Sequence, residues 1–324
     1  MRILLLFFDG WGLGANDPAT NPFLTAPLPT LRELFDGALP TSPPTPLHPE
    51  RSVAKSKEGE GRRGEVTTAR ATLIPTDATL GVPGLPQSAT GQTAIFTGVN
   101  APRAIGEHLG PYPNAALRKI LTRDNLFKRL TAAHRRVAFA NAYPPMFFER
   151  LTRNKARRGA ISYAVHAAGV RYRDIDDLRA GRAVSAFVTN QIWRERGADV
   201  PLITARAAGA TLARLAREND LTVFEYFLTD AAGHKAQPEF TARVLDEVDE
   251  LVRGVIDAID LNDSLVVITS DHGNVEDATA KGHTRNPVPT ILIGAAREKI
   301  APRIHALTDL TPALSDLLLA QPGD

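Results

Sequence analysis

Several short, mostly apolar runs along the chain have the length of buried strands. Runs of this kind are typical of strands covered on both faces of a parallel sheet. The runs are Ile3–Phe8 (ILLLFF), Leu221–Leu228 (LTVFEYFL), Ser264–Thr269 (SLVVIT) and Pro287–Gly294 (PVPTILIG), with a further strand predicted at Arg136–Ala142 and ordered structure at Ala71–Leu80.

Between these runs, apolar residues recur at the spacing of amphipathic helices. The clearest are Thr204–Glu218 and Phe240–Ile259, and the second carries acidic residues on its exposed face. Shorter helices are predicted at Pro29–Leu34, Ala115–Leu121, Leu126–Ala133, Ile161–Ala168, Ala183–Arg194 and Leu307–Leu319. Together the elements fit an open α/β sheet, in which ligands bind at the carboxyl ends of the strands.

Two regions depart from this pattern. Residues 41–70 are rich in Pro, Lys, Arg, Glu and Gly, which predicts a flexible, solvated loop whose His48 is not a ligand. Residues 102–200 resemble an inserted α+β cap more than a continuation of the sheet. We therefore predict a discontinuous core domain of residues 1–101 and 201–324, with residues 102–200 as the cap.

Composition narrows the chemistry. The chain has 324 residues, 43% of them hydrophobic, and a formal net charge of +2, which gives no reason to expect nucleic acid or a membrane as a partner. It has no cysteine, so disulfides, thiolate ligands and a cysteine nucleophile are excluded. A metal site would therefore use carboxylate, imidazole and hydroxyl groups, which favours Zn or Mn. The apolar N-terminal run is shorter than a signal peptide, and no window approaches the length of a spanning helix, so we expect a cytoplasmic protein.

Acids and histidines follow the predicted strands. Asp9 follows the run Ile3–Phe8, and Asp230 follows the run Leu221–Leu228, with His234 four residues later. Asp271 and His272 follow the run Ser264–Thr269, and His283 lies in a glycine-flanked loop. Since the ends of parallel strands meet at one edge of a sheet, we expect these side chains to lie together. Each alone has an ordinary explanation, such as a turn or capping role for Asp9. Histidines in amphipathic segments, His134 and His166, are interpreted as surface or packed residues.

Ser88 lies where a Pro- and Gly-rich loop (GVPGLPQ) enters a predicted helix. The N–H groups of a helix N-terminus favour anions, so a hydroxyl at this point could be a nucleophile. A lone serine there is more often a helix cap. Thr90 and Thr93 are lesser candidates for the nucleophile. With Ser88 the candidate ligands number seven, enough for two divalent ions, which together can hold the attacking and leaving oxygens of a phosphoryl transfer.

Five motifs give the chain a resemblance to the alkaline phosphatase superfamily, and most closely to the core of cofactor-independent phosphoglycerate mutases. They are FDGWG (Phe8–Gly12), QSATGQTA (Gln87–Ala94), TDAAGH (Thr229–His234), SDHGN (Ser270–Asn274) and GHTRNPVP (Gly282–Pro289). The resemblance implies a three-layer α/β core with a central, mostly parallel sheet. It also implies one metal on Asp230, His234 and His283, a second on Asp9, Asp271, His272 and Ser88, and a phosphoserine intermediate at Ser88.

The chain departs from the mutases around the nucleophile. Their motif is of the type Asn-Ser-Glu-Val-Gly-His, whereas Gln87–Gln92 here lacks the Glu and the His, and the inserted region is shorter than theirs. We therefore expect a two-metal phosphomonoesterase or phosphomutase that acts on a small phosphorylated metabolite, as a monomer or small homo-oligomer. The alternatives are a phosphodiesterase of the same superfamily and a non-catalytic metal-binding protein. Candidate substrate-binding residues at the edge of the cap and within it are Arg103, His108, Arg150 and Arg153.

Overall fold

The computed structural model describes residues 1–39, 41, 64–153 and 157–320. Within this part of the chain the strands are β1 (Arg2–Phe8), β2 (Val66–Thr67), β3 (Ala71–Thr76), β4 (Val137–Phe139), β5 (Asn141–Ala142), β6 (Val184–Ser185), β7 (Leu221–Tyr226), β8 (Ser264–Thr269) and β9 (Val288–Gly294).

The helices of the first half are α1 (Pro22–Thr25), α2 (Pro29–Leu34), α3 (Ser88–Thr97), α4 (Ala101–Ile105), α5 (Ala115–Arg123), α6 (Leu126–Ala132), α7 (Pro145–Thr152) and α8 (Ala160–Ala167). The second half adds α9 (Ile175–Arg179), α10 (Gln191–Glu195), α11 (Ala205–Glu218), α12 (Leu228–Lys235), α13 (Pro238–Ala258), α14 (Arg297–Ile300) and α15 (Leu310–Leu319), with 3₁₀ turns at Ala301–Arg303 and Leu307–Asp309. None of the described helices is both long and apolar enough to cross a bilayer.

In the described part of the chain, seven strands form the central sheet in the order β2-β3-β9-β8-β1-β7-β4. The middle of the sheet is parallel, since β1 lies between β8 and β7 and β4 continues beyond β7 in the same direction. Strand β9 is antiparallel to both of its neighbours. The predicted α/β fold with a mostly parallel sheet is confirmed.

The sheet is covered on both faces, which explains the continuous apolar runs. Alternate residues of β1 enter two separate cores because successive side chains of a strand point to opposite faces. Leu4, Leu6 and Phe8 pack in one core with residues of α11 and α13, whereas Ile3 and Leu5 pack in the other with residues of α3, α6, α8 and α15. The result is a three-layer arrangement.

The region predicted as a cap is partly built into this core. Strand β4 pairs with β7 in the central sheet, contrary to the expectation that residues 102–200 would not extend it. Phe127 of α6 and Ile161 of α8 are fully buried in the same core as Ile3. The sequence pattern of an apolar helix face or a half-buried strand is the same in both cases, whether the element packs in a separate small core or against the central sheet. The pattern therefore does not distinguish a cap from an extension of the sheet. The division at residues 102 and 200 stays a prediction.

Two local predictions were wrong. The helix expected over Ala183–Arg194 is replaced by β6 and the short helix α10, because Val188 and Asn190 adopt positive φ angles of 53° and 65° that a helix cannot accommodate. The strand expected over Arg136–Ala142 divides into β4 and β5, and β5 pairs with β6 in a separate two-stranded sheet.

Of the loop predicted over residues 41–70, positions 42–63, including His48, lie outside the described residues. The end of that range is not a loop throughout, since Val66 and Thr67 form β2 at the edge of the central sheet.

Candidate metal centre

The candidate ligands converge at the carboxyl ends of three adjacent strands. Asp9 follows β1, Asp271 and His272 come just after β8, and Asp230 lies in the first turn of α12, which follows β7. The parallel register that pairs Phe7 with Thr269 and Phe8 with Tyr226 brings these three strand ends level.

One set of side chains surrounds the imidazole of His272. Its Nε2 atom lies 3.1 Å from the Ser88 hydroxyl, 3.2 Å from Asp9 Oδ1 and 3.7 Å from Asp271 Oδ1. Asp271 and His272 are fully buried, and Asp9 and Ser88 are nearly so. This is the set for which the resemblance implies a shared metal.

A second set lies beside it. The Nε2 atom of His283 is 3.3 Å from Nε2 of His234 and 3.6 Å from Asp230 Oδ1, and His234 Nε2 is 3.4 Å from Asp230 Oδ2. The Nδ1–H of His283 donates to the Pro86 carbonyl at 2.8 Å, which leaves the lone pair of a neutral ring on Nε2. Two ring nitrogens and two carboxylate oxygens therefore face one another, as ligands of a shared cation would.

The two sets adjoin each other. The rings of His272 and His283 stack with centroids 3.7 Å apart. Ligand atoms of Asp230, His272 and His283 all lie within 4.8 Å of one another, as do those of Asp9, Asp271 and His272. Two cations bound here would be close neighbours.

The electrostatics of the cluster fit cations. Burial, together with the charge of Asp271, raises the pKa of Asp9 well above its usual value. Burial alone would lower the pKa of His272, but the nearby carboxylates of Asp271 and Asp9 outweigh it and raise this pKa to about 10. The buried Asp9 Oδ1 atom has the His272 imidazole 3.2 Å away, and no other hydrogen bond to it is formed among the described residues. A buried acid oxygen whose neighbour is an imidazole that would hold a proton marks a place that favours positive charge.

Ser88 is the first residue of α3, and the cap position belongs to Gln87. Its hydroxyl contacts His272 rather than capping the helix. The lesser candidates are differently placed, since the hydroxyls of Thr90 and Thr93 donate to the Gln87 and Ala89 carbonyls. Ser88 is the hydroxyl that meets the candidate ligands.

Helix α3 also holds the acids in position. One turn beyond Ser88, Gln92 Nε2 donates to Asp271 Oδ2 at 3.1 Å and approaches Asp9 Oδ2 at 3.5 Å. A Cβ atom on Gly91 would lie only 2.7 Å from the Asp271 carbonyl oxygen, so the helix backbone packs directly on this candidate ligand. The glutamine was noted in the sequence only as a departure from the mutase motif.

Two further residues of the site were missed in the sequence. Asn274 donates from Nδ2 to Asp230 Oδ1 at 2.7 Å and so joins the end of β8 to α12. Glu276, fully buried, accepts hydrogen bonds from the N–H groups of Gly12 and Asn274 and from the side chains of Thr284 and Asn286. Glu276 thus connects the FDGWG, SDHGN and GHTRNP segments. Its position two residues after SDHGN was the available signal.

A second acid, Glu225 near the end of β7, also escaped notice in the sequence. Burial, with a smaller contribution from the charge of Asp271, raises its pKa to about 7. Glu225 is the single acid within the mostly apolar run LTVFEYFL, and this isolated position was the sequence signal that could have identified it.

Among the described residues, no hydrogen bond or ion pair joins the candidate substrate-binding residues to the candidate ligands. Arg103 on α4, Arg150 on α7 and Arg153 just after α7 are exposed, and their roles stay predictions. His108 is nearer, because Thr90 N donates to the carbonyl of the next residue, Leu109. Burial lowers the pKa of His108, whose Nε2 lies 3.3 Å from the Val82 carbonyl.

Comparison with known proteins identifies a family model and relatives that match this chain. A family model described as the Metalloenzyme superfamily matches residues 1–322. The chain is 37% identical over 105 residues to a 2,3-bisphosphoglycerate-independent phosphoglycerate mutase of Syntrophotalea carbinolica, covering 31% of this chain and 20% of that protein. It is 28% identical over 114 residues to the enzyme of the same name from Pyrococcus abyssi, covering 35% of this chain and 27% of that protein. The matches thus span only 20% and 27% of these relatives' length.

Solved structures resemble the whole chain. The PH0037 protein from Pyrococcus horikoshii matches with a TM-score of 0.56 and 12% identity, covering 100% of this chain and 98% of that one. A cold-active alkaline phosphatase from a psychrophilic Shewanella matches with a TM-score of 0.54 and 11% identity, covering 98% and 100%. At such identities the likeness concerns the fold, and it confirms the predicted alkaline-phosphatase-like architecture.

Proposed function

The chain belongs to the Metalloenzyme superfamily, and we propose that it is a metal-dependent phosphoryl-transfer enzyme, a phosphomonoesterase or phosphomutase, that acts through a phosphoserine at Ser88. The observation that carries this proposal is the position of the Ser88 hydroxyl. It lies at the N-terminus of a ten-residue helix and 3.1 Å from the imidazole around which Asp9 and Asp271 gather. A hydroxyl at the meeting point of an anion-favouring helix end and a cation site is suited to attack phosphorus.

The residues fit two divalent ions, Mn or Zn in our proposal. Asp230, His234 and His283 would hold one, and Asp9, Asp271, His272 and the Ser88 oxygen would hold the other. When bound, such ions stabilise the charge of the transferring phosphoryl group and lower the pKa of an adjacent hydroxyl.

The chain's own groups would perform the transfer in two steps. In the first, Ser88 Oγ forms a bond to phosphorus and loses its proton, while the bond from phosphorus to the ester oxygen breaks and the alcohol leaves protonated. In the second, the oxygen of water or of a substrate hydroxyl forms a bond to phosphorus, the bond from phosphorus to Ser88 Oγ breaks, and the proton of the attacking hydroxyl passes to Ser88 Oγ. Water gives inorganic phosphate, as in a phosphatase, and a substrate hydroxyl gives an isomeric ester, as in a mutase.

The fixed backbone of α3 would keep Ser88 in line for both steps. Thr90 N donates to Leu109 O at 3.0 Å and Gly91 N to Gln87 O at 2.8 Å, which hold the first turn of the helix in place. The macrodipole of α3 places positive potential at the phosphoryl site and favours the dianionic ester. A small phosphorylated metabolite in the cytoplasm is the substrate class that we propose, as the names of the mutase relatives suggest.

The first experiment removes the nucleophile. Ser88→Ala should reduce hydrolysis of an aryl phosphate to background while inductively coupled plasma analysis still finds close to two divalent ions per chain. The matched control is Thr93→Val, which deletes a buried hydroxyl from the same helix at almost constant volume and should retain turnover within a few-fold. Full turnover by Ser88→Ala would refute the assignment of the nucleophile.

A second experiment separates hydrolysis from mutase transfer. The metal-loaded protein is incubated with a panel of phosphate monoesters, and inorganic phosphate and isomeric esters are measured by ³¹P nuclear magnetic resonance. Release of phosphate without isomer would support a phosphatase, and isomer without phosphate would support a mutase. No reaction with any monoester, in protein that binds two ions, would contradict the proposed function.

A further inference from the structure

A cavity of about 530 Å³ lies at the opposite edge of the sheet from the metal centre. Its lining includes Gly294 at the end of β9, which pairs with Leu265 at the start of β8. The candidate ligands Asp271 and His272 come after the other end of β8. Six residues of extended strand place the two locations roughly 20 Å apart, so a molecule in this cavity would not touch the metal ligands.

Three arginines converge on this cavity, one from each of three elements. Arg70 immediately precedes β3, Arg253 lies on α13, and Arg297 begins α14. The only carboxylate among the described lining residues is Glu33 of α2, so these side chains give the wall an excess of two positive charges. We call these three residues and the space that they line the arginine cavity.

The arginines are held in place by contacts that leave much of their hydrogen-bonding capacity unused. Glu33 forms ion pairs with both Arg70 and Arg253. Arg253 Nε also donates to Thr30 Oγ1 at 3.2 Å, and Arg297 Nη2 donates to the Thr68 and Ala69 carbonyls at 3.1 and 2.8 Å. Asp257 also lies 3.9 Å from Arg253 Nη1, so the three guanidiniums face two carboxylates and positive charge remains in excess. A guanidinium has five N–H donors, and most of these donors stay available to a ligand.

Apart from Thr30 and Asn262, the rest of the wall is apolar. Leu34, Ile256, Leu261 and Ile293 line the space between the charged groups. A cavity of a few hundred cubic ångströms with apolar walls and a few converging polar groups is the usual form of a small-molecule site. Arginine recognises phosphate-like groups through paired N–H donors.

We infer that the arginine cavity is a second ligand site, separate from the metal centre, for a small organic dianion such as a phosphate ester that carries an apolar or ring-shaped body. The dianion would contact Arg70 and Arg297, and the body would lie against Ile256 and Ile293. The inference does not depend on the proposed activity, because no arginine of the cavity takes part in the proposed reaction.

The test uses phenylphosphonate, a ring-bearing dianion that phosphatases do not hydrolyse. Calorimetric titration of the metal-loaded protein should reveal two binding events, one at the metal centre, abolished by chelation, and one that survives chelation. Arg70→Gln and Arg297→Gln should each weaken the surviving event at least tenfold while leaving aryl phosphate turnover within about twofold. Of these two variants, Arg70→Gln should affect folding less than Arg297→Gln, because the Arg70 side chain is about half exposed.

The matched control is Arg206→Gln. Arg206 forms an ion pair with Asp257, a neighbour of Arg253, but does not line the cavity. It should retain both binding events. The inference is overturned if every binding event disappears on chelation, if the double variant Arg70→Gln, Arg297→Gln binds as wild type, or if Arg206→Gln weakens binding equally. A chelation-resistant event in a protein without phosphoryl-transfer activity would contradict the proposed function and leave the arginine cavity supported.

Discussion

Glu276 provides the most direct test of how the metal centre is held together. Its Oε2 atom accepts from Gly12 N at 3.0 Å and Asn274 N at 2.7 Å, while Oε1 accepts from the Thr284 hydroxyl and from Asn286 Nδ2 at 3.0 Å. All four partners point donors at the carboxylate, and the side chain is 1% exposed. Replacement by glutamine keeps the shape and turns one acceptor atom into a donor.

The size of the effect follows from this arrangement. Whichever way the new amide is oriented, its NH₂ group faces two donors, so two hydrogen bonds to a charged acceptor are lost or must rearrange. Each is worth about 1.5–3 kcal/mol, which gives a loss of unfolding free energy of about 3–6 kcal/mol for Glu276→Gln. With an unfolding entropy of about 2.1 cal/mol/K per residue, the Tm of this chain should fall by about 4–9 °C.

Metal affinity should fall as well, because Glu276 fixes loops that carry Asp271 and His283 without itself being a ligand. Loss of a partner that orients metal ligands typically costs about 10–100-fold in affinity. The assays are differential scanning calorimetry of the metal-free protein and competition of the loaded protein with a chromophoric chelator.

Glu247→Gln is the control for this experiment. Glu247 is half-buried and accepts one hydrogen bond, from the Tyr226 hydroxyl at 2.6 Å. Burial raises its pKa, so a neutral amide should replace it with a change in Tm of no more than about 2 °C. The reasoning is refuted if Glu276→Gln has wild-type Tm and metal affinity, or if Glu247→Gln is as damaging.

Three further predictions concern the same region. Gly91→Ala should lower the Tm and reduce turnover at least tenfold, because the new Cβ would lie 2.7 Å from the Asp271 carbonyl oxygen. Replacing glycine by alanine inside a helix normally stabilises the protein by about 1 kcal/mol, so a higher Tm by calorimetry would contradict this prediction. In the metal-free chain the pKa of Glu225 is about 7 against its usual 4.5, so the folded state binds the proton more tightly and stability falls as pH rises from about 4.5 through 7. Glu225→Gln should therefore gain up to roughly 3 kcal/mol in urea unfolding at pH 8 and almost nothing at pH 4, and equal effects at both would exclude the burial of this charge. Adding Mn²⁺ or Zn²⁺ at a hundredfold excess over Kd to chelated protein should raise the unfolding free energy by about 2.7 kcal/mol for each site occupied, and an unchanged Tm would argue against both sites.

The sheet, and the meeting of the candidate ligands at its edge, could be predicted from the sequence for the same reason. Strand β1 reads as an unbroken apolar run because helices cover both of its faces, and the polar Asp9 that follows marks where the strand leaves the core. Strand β8 ends in a similar way, with Ser270 and Asp271 after it, whereas Asp230 comes four residues after β7, in the first turn of α12. The positions of Asp9, Asp230 and Asp271 at one edge of the sheet follow from parallel pairing alone.

The contacts among distant segments could not be predicted in this way. Glu276 meets Gly12, 264 positions away in the chain, and no local pattern records that pairing. The arginine cavity draws its residues from several elements whose mutual packing is set only in the fold. The helix predicted over Ala183–Arg194 failed for a related reason, since the positive φ angles of Val188 and Asn190 are imposed by tertiary context on residues that do not favour them.

The hydrogen bonds around the three acids explain why this cluster can be both rigid and reactive. In each carboxylate one oxygen is held by an amide of the protein, since Asp271 Oδ2 accepts from Gln92 and Asp230 Oδ1 from Asn274, and Asp9 Oδ2 lies 3.5 Å from Gln92. The other oxygen of each faces an imidazole, that of His272 for Asp9 and Asp271 and that of His234 for Asp230. Neutral amides fix the orientation of the acids without neutralising them. The negative charge that remains is directed at the two places where the imidazoles gather, and positive charge bound there would offset the cost of placing the buried Asp9 and Asp271 beside the partly buried Asp230.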